Sequence, residues 1–380
     1  MTRLNELETG KGDVITATWG RLVEAPPEAE AEVWARACAQ SSAVSYFLSP
    51  GWVETWRATL PKHVDAWLVS MTFGENLLAA AYLIHTRIRR HRLLRSNAVF
   101  LNQTGLPDLD QVCIEHNGVV CRDGYVITGD DLVHAIDGPW DELFLSGIAA
   151  DSALLKVSAP LRCHIVYRKP SPRVDLDRVR NSADYLDILS PSTRSQINRS
   201  CRLYSAKYGT LNSTQPATQE QAGRFFEELV AMHTQRWSAK GHDGAFTNPF
   251  MLRFHARLIN ERFQTGEIQL IRICAGTTTI GVIYNFVYHG VVYFYQSGFR
   301  YEDDNRLKPG LVSHTEAVRL NAGIGNSVYD FLGGASRYKQ SLATSAGELV
   351  WAVVQKPRFK FRVEKWLRSV KRQMCAIQRR

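Results

Sequence analysis

The sequence predicts an α/β protein of two similar units in tandem, each a mixed, mostly antiparallel sheet flanked by helices. Three observations carry this. The chain has 380 residues, more than one hydrophobic core usually supports. It contains two hairpins of similar pattern, far apart in sequence. Its composition, 45% hydrophobic and 22% charged, is that of an ordinary globular protein able to bury a core in each unit.

Along the chain, a strand over Asp13 to Thr18 precedes a helix over Glu28 to Ala39. Ser49 followed by Pro50 has the form of a helix N-cap with proline in the first turn. Trp52, Trp56 and Leu60 then recur every four residues, a core-facing helical stripe. Ala66 to Phe73 and Leu77 to Ile84 read as strands joined through Gly74, Glu75 and Asn76. Glu267 to Cys274 and Thr279 to Tyr288 repeat the unit, and His289-Gly290 leads into a third strand, Val291 to Phe299. Laying Gly74 on Gly276 places Tyr82 on Tyr284, as expected of two copies of one architecture.

Between the copies, Arg168 to Arg178 is charged and contains Pro170 and Pro172, marking a boundary region. Ser190 to Gly209 reads as a basic helix ending on a glycine C-cap. A second helix starts at Thr218 with Gln221 as a capping box and carries Phe226, Leu229, Val230, His233 and Trp237 on one face. The resulting division is 1–170, 171–355 and a basic tail, 356–380.

Charge and cysteines narrow the class. The net charge is +9, and Lys356 to Arg380 alone holds ten Lys and Arg against Glu364, so the remainder is neutral. In the tail, Val363, Trp366, Val370, Met374 and Ile377 form one apolar face. That pattern fits either an interfacial helix on anionic lipid or a helix docked on the protein's own body. Nucleic acid ranks third. The seven cysteines are scattered without CxxC pairing, which argues against a disulfide framework or a zinc ribbon and predicts no metal. A polar Met1 to Asp13 and the absence of a membrane-length apolar run predict a cytoplasmic protein.

Chemistry concentrates in Tyr293 to Leu342. A strand runs into an acidic turn, Tyr301 to Asn305, then Arg306-Leu307-Lys308-Pro309-Gly310-Leu311, a helix to about Asn321, and a strand over Ser327 to Leu332. This order offers a helix N-terminus to a phosphate: the backbone of Gly310 and Leu311 donates, while Arg306 and Lys308 add charge.

Several segments together resemble the CelD/BcsL group of GNAT acetyltransferases. They are Phe294-Tyr295-Gln296-Ser297-Gly298-Phe299, Leu307-Lys308-Pro309-Gly310, Tyr329-Asp330-Phe331-Leu332-Gly333-Gly334 and Arg337-Tyr338-Lys339-Gln340-Ser341-Leu342. Phe47 to Trp52, Ser192-Thr193-Arg194 and His233-x-x-Arg236-Trp237 with Gly244-Ala245-Phe246 also fit. The group is related to the Fem-type aminoacyltransferases, which have two GNAT domains and use aminoacyl-tRNA. The resemblance therefore implies tandem GNAT domains and an acyl donor, acetyl-CoA or another acyl-CoA, bound where the fourth strand splays. It also implies an amine or hydroxyl acceptor from the cell envelope or polysaccharide synthesis. The loop departs from the usual pattern, since Arg306 stands four before Gly310 and Val312 occupies the last small position.

The resemblance implies Tyr338 as the acid for the leaving thiolate and Lys339 as a stabiliser of developing negative charge or a partner of Asp330. Asp330, at a strand end, is a candidate base or orienting carboxylate, against a structural salt bridge. His314, one turn into the phosphate helix, is a further base candidate. Gln296, His233, Arg236 and Arg337 are candidate acceptor contacts; for His233 the competing role is packing, for Arg236 it is CoA phosphate, and for Gln296 it is an outward surface position. Two rival functions remain at this level: an aminoacyl-tRNA-dependent transferase and a non-catalytic scaffold in a polysaccharide-synthesis complex.

Overall fold

The computed structural model describes residues 3–8, 14–22, 26–90, 94–112 and 114–364. The apolar face of the tail, from Trp366 on, lies outside these residues, as do Cys113, Cys375 and Asp13.

The first half runs β1 (Arg3–Glu8), β2 (Val14–Arg21), α1 (Pro27–Ala39), α2 (Pro50–Thr59), β3 (Ala66–Phe73), β4 (Asn76–Arg90), β5 (Leu94–Leu101), β6 (Val120–Cys121), α3 (Gly129–His134), β7 (Glu142–Ala149) and β8 (Arg162–Asp175). The second runs α4 (Leu176–Arg180), α5 (Pro191–Tyr208), β9 (Leu211–Thr214), α6 (Gln219–Ser238), α7 (Pro249–Arg262), β10 (Ile268–Ala275), β11 (Thr278–Tyr288), β12 (Val291–Phe299), α8 (Pro309–Gly323), β13 (Val328–Asp330), α9 (Arg337–Leu342) and β14 (Ser345–Gln355).

Local signals act as expected at the helix starts. Ser49 Oγ accepts from Trp52 N at the start of α2, and Thr218 accepts from Gln221 N at the start of α6. The Gln221 side chain departs slightly from the capping-box form, accepting from Ala217 N at 2.8 Å rather than from the cap residue itself. Gly209 closes α5 with a φ of 105°, a region glycine enters without steric cost.

The repeated hairpin is real to the level of register. Tyr82 pairs with Leu68 and Tyr284 with Leu270, and each hairpin slips by one residue, at Met71/Thr72 and at Ile273/Cys274. Laying Gly74 on Gly276 superposes both features. Each half also closes with a parallel pair, Ala98–Phe100 against Glu142–Phe144 and Val291–Tyr293 against Val328–Asp330.

The two expected sheets are joined into one, in the order β1-β2-β3-β4-β5-β7-β14-β8-β13-β12-β11-β10-β9. The join is an exchange. β8 leaves the first half and pairs with β13 of the second, while β14 returns from the second half and pairs with β7 of the first. The segment Arg168 to Arg178 is therefore strand and helix, and the division at residue 170 falls inside β8.

On one face, α1 and α2 pack with α6 and α7 into a core shared by both halves. Trp52 meets Phe254 edge-on at 4.8 Å, and Tyr46 stacks on Phe286 at 4.4 Å. Each such buried aromatic contributes about 1.5–3 kcal/mol. The opposite face carries separate cores, one under α4, α5, α8 and α9 and one in the first half. At Gly298, a Cβ would lie 2.5 Å from Leu229 O and 2.8 Å from Met232 Cβ. The bare backbone there lets α6 sit directly on β12.

The parallel pairs separate the halves functionally. Beyond Tyr293 and Asp330, β12 and β13 diverge and leave an opening. Beyond Phe100 and Phe144, the corresponding gap is filled by the loop that follows β5. Asn117 Nδ2 donates to Leu101 O and to Ser146 O, both at 3.0 Å, and so spans β5 and β7. Its Oδ1 accepts from Asn102 Nδ2 at 2.8 Å, and its N–H donates to Gly147 O. Gly147 has a φ of 67°, and a Cβ there would meet Ile114 O at 2.7 Å.

This plug predicts that Asn117→Ala lowers stability by about 2–3 kcal/mol, the cost of unpairing buried backbone carbonyls and the Asn102 amide. Urea unfolding followed by circular dichroism measures it; a shift under about 0.5 kcal/mol would show that the gap is held by other contacts.

Candidate active site

The opening between β12 and β13 is a cavity of about 360 Å³. Its origin lies in the backbone. Tyr284 pairs with Gln296 and Asn285 with Phe294, so Tyr295 is an extra, bulged residue in β12. A bulge bends its strand and re-aims side chains. Tyr295, Gln296 and Ser297 turn along the cavity wall, joined by His233, Arg236, Trp237 and Lys240 from α6 and its exit, and by Tyr338 and Lys339 from α9. α6 belongs to the shared core, while Tyr338 packs on the opposite face of the sheet. The strand divergence lets side chains from the two faces meet.

Five of the sequence-predicted residues thus come together: Gln296, His233, Arg236, Tyr338 and Lys339. Lys308, Gly310 and Leu311 form the start of α8, whose first-turn N–H groups have no intrahelical acceptor. Pro309 stands at the first helical position, and Lys308 N donates to Ser200 Oγ at 2.8 Å. Phe299 joins the two regions, lining the cavity and lying 3.4 Å from where a Cβ on Gly310 would sit.

Four predicted residues lie elsewhere. Arg306 is exposed and held by Asp304, Nε at 2.9 Å and Nη2 at 2.8 Å from its carboxylate oxygens; a local acid two residues away has captured the guanidinium. Arg337 is exposed at the start of α9, outside the cavity lining. His314 is fully buried behind the cavity, stacked at 5.3 Å on Tyr338. Its Nδ1 lies 3.3 Å from Tyr329 Oη. Tyr329 donates to Asn285, and the chain continues through Gln269 to Asn321 of α8. Burial, then the charge of Lys339, pushes the His314 pKa down to about 3. This imidazole is a neutral support for the tyrosine ring.

Asp330 is a buried knot. Its Oδ1 accepts from Leu332 N at 2.7 Å and from Ser171 Oγ at 3.1 Å, and its Oδ2 lies 3.1 Å from His116 Nε2. Burial alone raises its pKa, but the contact and charge of His116, the Leu332 N–H and Arg173 outweigh that and hold the carboxyl below its ordinary value. A low-pKa carboxylate with this many partners is a weak base. The structural ion-pair reading of Asp330 fits this geometry. Lys339 instead donates to Phe331 O at 2.6 Å.

His233 has the properties of a base. It is 8% exposed, and Nδ1 lies 3.3 Å from Ser297 O. A carbonyl only accepts, so this contact places the proton on Nδ1 and leaves Nε2 with its lone pair. Nε2 has no partner among the described residues. A Cβ on Gly244 would come within 3.2 Å of it, so the glycine lets its segment pack over that buried nitrogen without a side chain pressing on it. Burial lowers the His233 pKa, with the Ser297 carbonyl opposing. Tyr338 shifts the other way: burial, then Tyr301, raises its pKa and keeps the hydroxyl protonated, the form an acid requires.

The first half also contributes. Gln111 and Glu115, from the loop that plugs its own gap, line this cavity. Glu115 is buried, accepts from Gly333 N and lies 3.6 Å from Lys169 Nζ. These residues, with Lys240 and Tyr301, carry no periodic or motif signal. The available clue was the long stretch without regular structure between β5 and β6, since long ordered loops are often functional.

Asp330 gives a stability prediction. A carboxyl whose folded pKa is depressed adds stability that is full above its unfolded value, near 3.8, and is lost as pH falls through the folded value. Urea midpoints measured at about pH 5 and about pH 3 should therefore fall further for the natural chain than for Asp330→Asn. Equal falls would remove Asp330 from the acid-sensitive groups.

The comparisons with known proteins bear on this site. Residues 191–340 match the family model for an acetyltransferase (GNAT) domain, and that span contains α6, β12, α8 and most of α9. The crystal structure of FemX is similar with a TM-score of 0.55 at 10% identity, covering 88% of this chain and 96% of that one. The structure of L-PGS from Bacillus licheniformis is similar with a TM-score of 0.50 at 8% identity, covering 88% and 93%. A tandem GNAT protein from the clavulanic acid biosynthesis pathway covers 90% and 99% with a TM-score of 0.46 at 11% identity. No curated protein matches the chain in sequence.

Proposed function

We propose that this chain is a GNAT-type acyltransferase that moves an acyl group from acyl-CoA to an amine or hydroxyl. The observation that carries the reading is the cavity at the β12–β13 divergence, where a neutral imidazole and a protonated phenol share one space within the matched GNAT span. The resemblance to the CelD/BcsL group supplies the acceptor class, a cell-envelope or polysaccharide precursor.

The donor's phosphates suit the start of α8, where the N–H groups of Gly310 and Leu311 and the charge of Lys308 favour anions. Past Tyr293, β12 and β13 pair no further, and an extended donor arm can enter between them. The thioester then enters the cavity through the divergence.

There His233 Nε2 takes the proton of the acceptor's amine or hydroxyl as that atom bonds to the thioester carbonyl carbon. The positive charge of Lys339 favours the oxyanion. The carbon–sulfur bond breaks as Tyr338 gives its hydroxyl proton to the leaving sulfur, and His233 and Tyr338 return to their starting forms through solvent. His314, stacked beneath Tyr338, fixes the ring.

Acyl-CoA is favoured over aminoacyl-tRNA as donor because the basic helix α5 is partly compensated: Arg194 faces Asp187 at 3.5 Å and Lys207 pairs with Glu302. A scaffold role leaves unexplained why the first-half gap is plugged and the second is open.

Two measurements test the reading. Calorimetry should show acetyl-CoA or another acyl-CoA binding the natural chain and Tyr338→Phe equally, with turnover in the variant lower by about a hundredfold. No binding of any acyl-CoA, with turnover indifferent to the substitution, would overturn it. In the pH profile of kcat/KM, a histidine with a lowered pKa is already neutral at its ordinary value of 6.5. The acid limb should therefore fall below pH 6.5, and His233→Gln should abolish it together with about 10²–10⁴-fold of the rate. An acid limb that survives the substitution assigns the base elsewhere.

A further inference from the structure

The cavity holds an arginine that the fold itself does not use. Arg236 lies over the ring of Tyr301, its guanidinium carbon 3.9 Å from the ring centroid. Its Nε is buried and unpartnered, and Arg236 forms no salt bridge among the described residues. Stacking on an aromatic face holds the planar fork in one orientation before any ligand arrives. A buried donor without a partner has a real free-energy cost, so its presence calls for an explanation.

The other large cavity provides a control. About 820 Å³ lies between α1, α2 and α7; Arg262 Nε there is also unpartnered, but all three arginines are ion-paired with an acid, Arg57 with Glu30, Arg257 with Glu261 and Arg262 with Glu54. In the β12–β13 cavity the balance is different. Arg236, Lys240 and Lys339 face one acid, Glu115, which already lies beside Lys169. The lining is net positive, and its one preorganised fork sits on α6 in the same helical turn as His233.

We propose that the acceptor carries an anionic group, a carboxylate or a phosphate, and that Arg236 binds it bidentately. This rests on the acyl-transfer reading and adds the acceptor's chemical class to it. Placement decides between acceptor and donor. The donor's phosphates have their own cradle at α8, on the other face of the sheet from α6. An anion on Arg236 therefore comes from the molecule that also meets His233. Planar fork geometry matches a carboxylate or phosphate with two parallel hydrogen bonds.

The test is calorimetric, on the full chain, with inorganic phosphate and acetate as separate probes and with or without saturating CoA. At least one probe should bind while CoA is present. Arg236→Gln should weaken that binding about ten- to a hundredfold and leave CoA affinity unchanged, while Arg236→Lys, which keeps the charge but loses the fork, should fall between. The probe that binds more tightly identifies the anion as phosphate or carboxylate. Binding of neither anion, displacement by CoA, indifference to Arg236→Gln, or weaker CoA binding in that variant would overturn the proposal. A natural chain that binds the anion through Arg236 but binds no CoA would instead sink the donor reading and leave the anion site standing, so the two failures are distinguishable. Thermal unfolding of both variants, expected within about 4 °C of the natural chain for this partly buried position, separates loss of the contact from loss of the fold.

Discussion

Everything at the candidate site depends on how Asp330 ends its strand. Three residues of β13 pair with β12, and then one carboxylate turns the chain away by capping the N–H of Leu332 two residues on. Leu332 takes a φ of 59° and His116, the residue facing the other carboxylate oxygen, a φ of 52°. Non-glycine residues in that region cost about 1–2 kcal/mol each. They persist here because a buried carboxylate over-determines them: Ser171 from β8, His116 from the first half and the turn itself all converge on it. The strand divergence, and with it the cavity, is thus set by a contact between the halves rather than by the second half alone.

That dependence gives the exchanged strands a role beyond stability. β8 brings Ser171 to Asp330 and Lys169 to Glu115, while β14 ties the other side of β8 back to the first half. The loop after β5 then contributes twice, Asn117 closing the gap in its own half and Glu115 and His116 bracing the open one. An isolated second half would lack Gln111, Glu115 and His116. Two units of similar fold have become one site with a support.

The hairpin register was legible because it is written in local signals: a glycine turn, apolar alternation and a tyrosine at a fixed distance from it. Helix starts at Ser49 and Thr218 were legible for the same reason. Gln296, His233, Arg236, Tyr338 and Lys339, single residues picked from separate segments, line one cavity from α6, β12 and α9. What sequence could not convey is partnership across distance. Asp330 looks like a base when only its apolar neighbours Tyr329 and Phe331 are in view, and its contacts with His116, Ser171 and Leu332 are invisible from that run. Arg306 looks like a phosphate ligand until Asp304 takes it. His314 reads as a catalytic histidine one turn into a helix, but that turn faces the sheet.

The plugged and open gaps also explain how one fold can hold a single site despite its internal repeat. A parallel pair that diverges exposes backbone groups on both strands, and those groups need partners. In the first half Asn117 supplies them with one side-chain amide, and the gap is filled. In the second half the connection from β12 to α8, residues 300–308, lines the opening with Tyr301 instead of filling it, and the divergence stays free for a ligand. The buried Nε2 of His233 and the buried Nε of Arg236 are then the same kind of feature among the described residues. Each is a polar group left without an internal partner around one cavity, and in a folded protein such groups collect where something else is meant to bind.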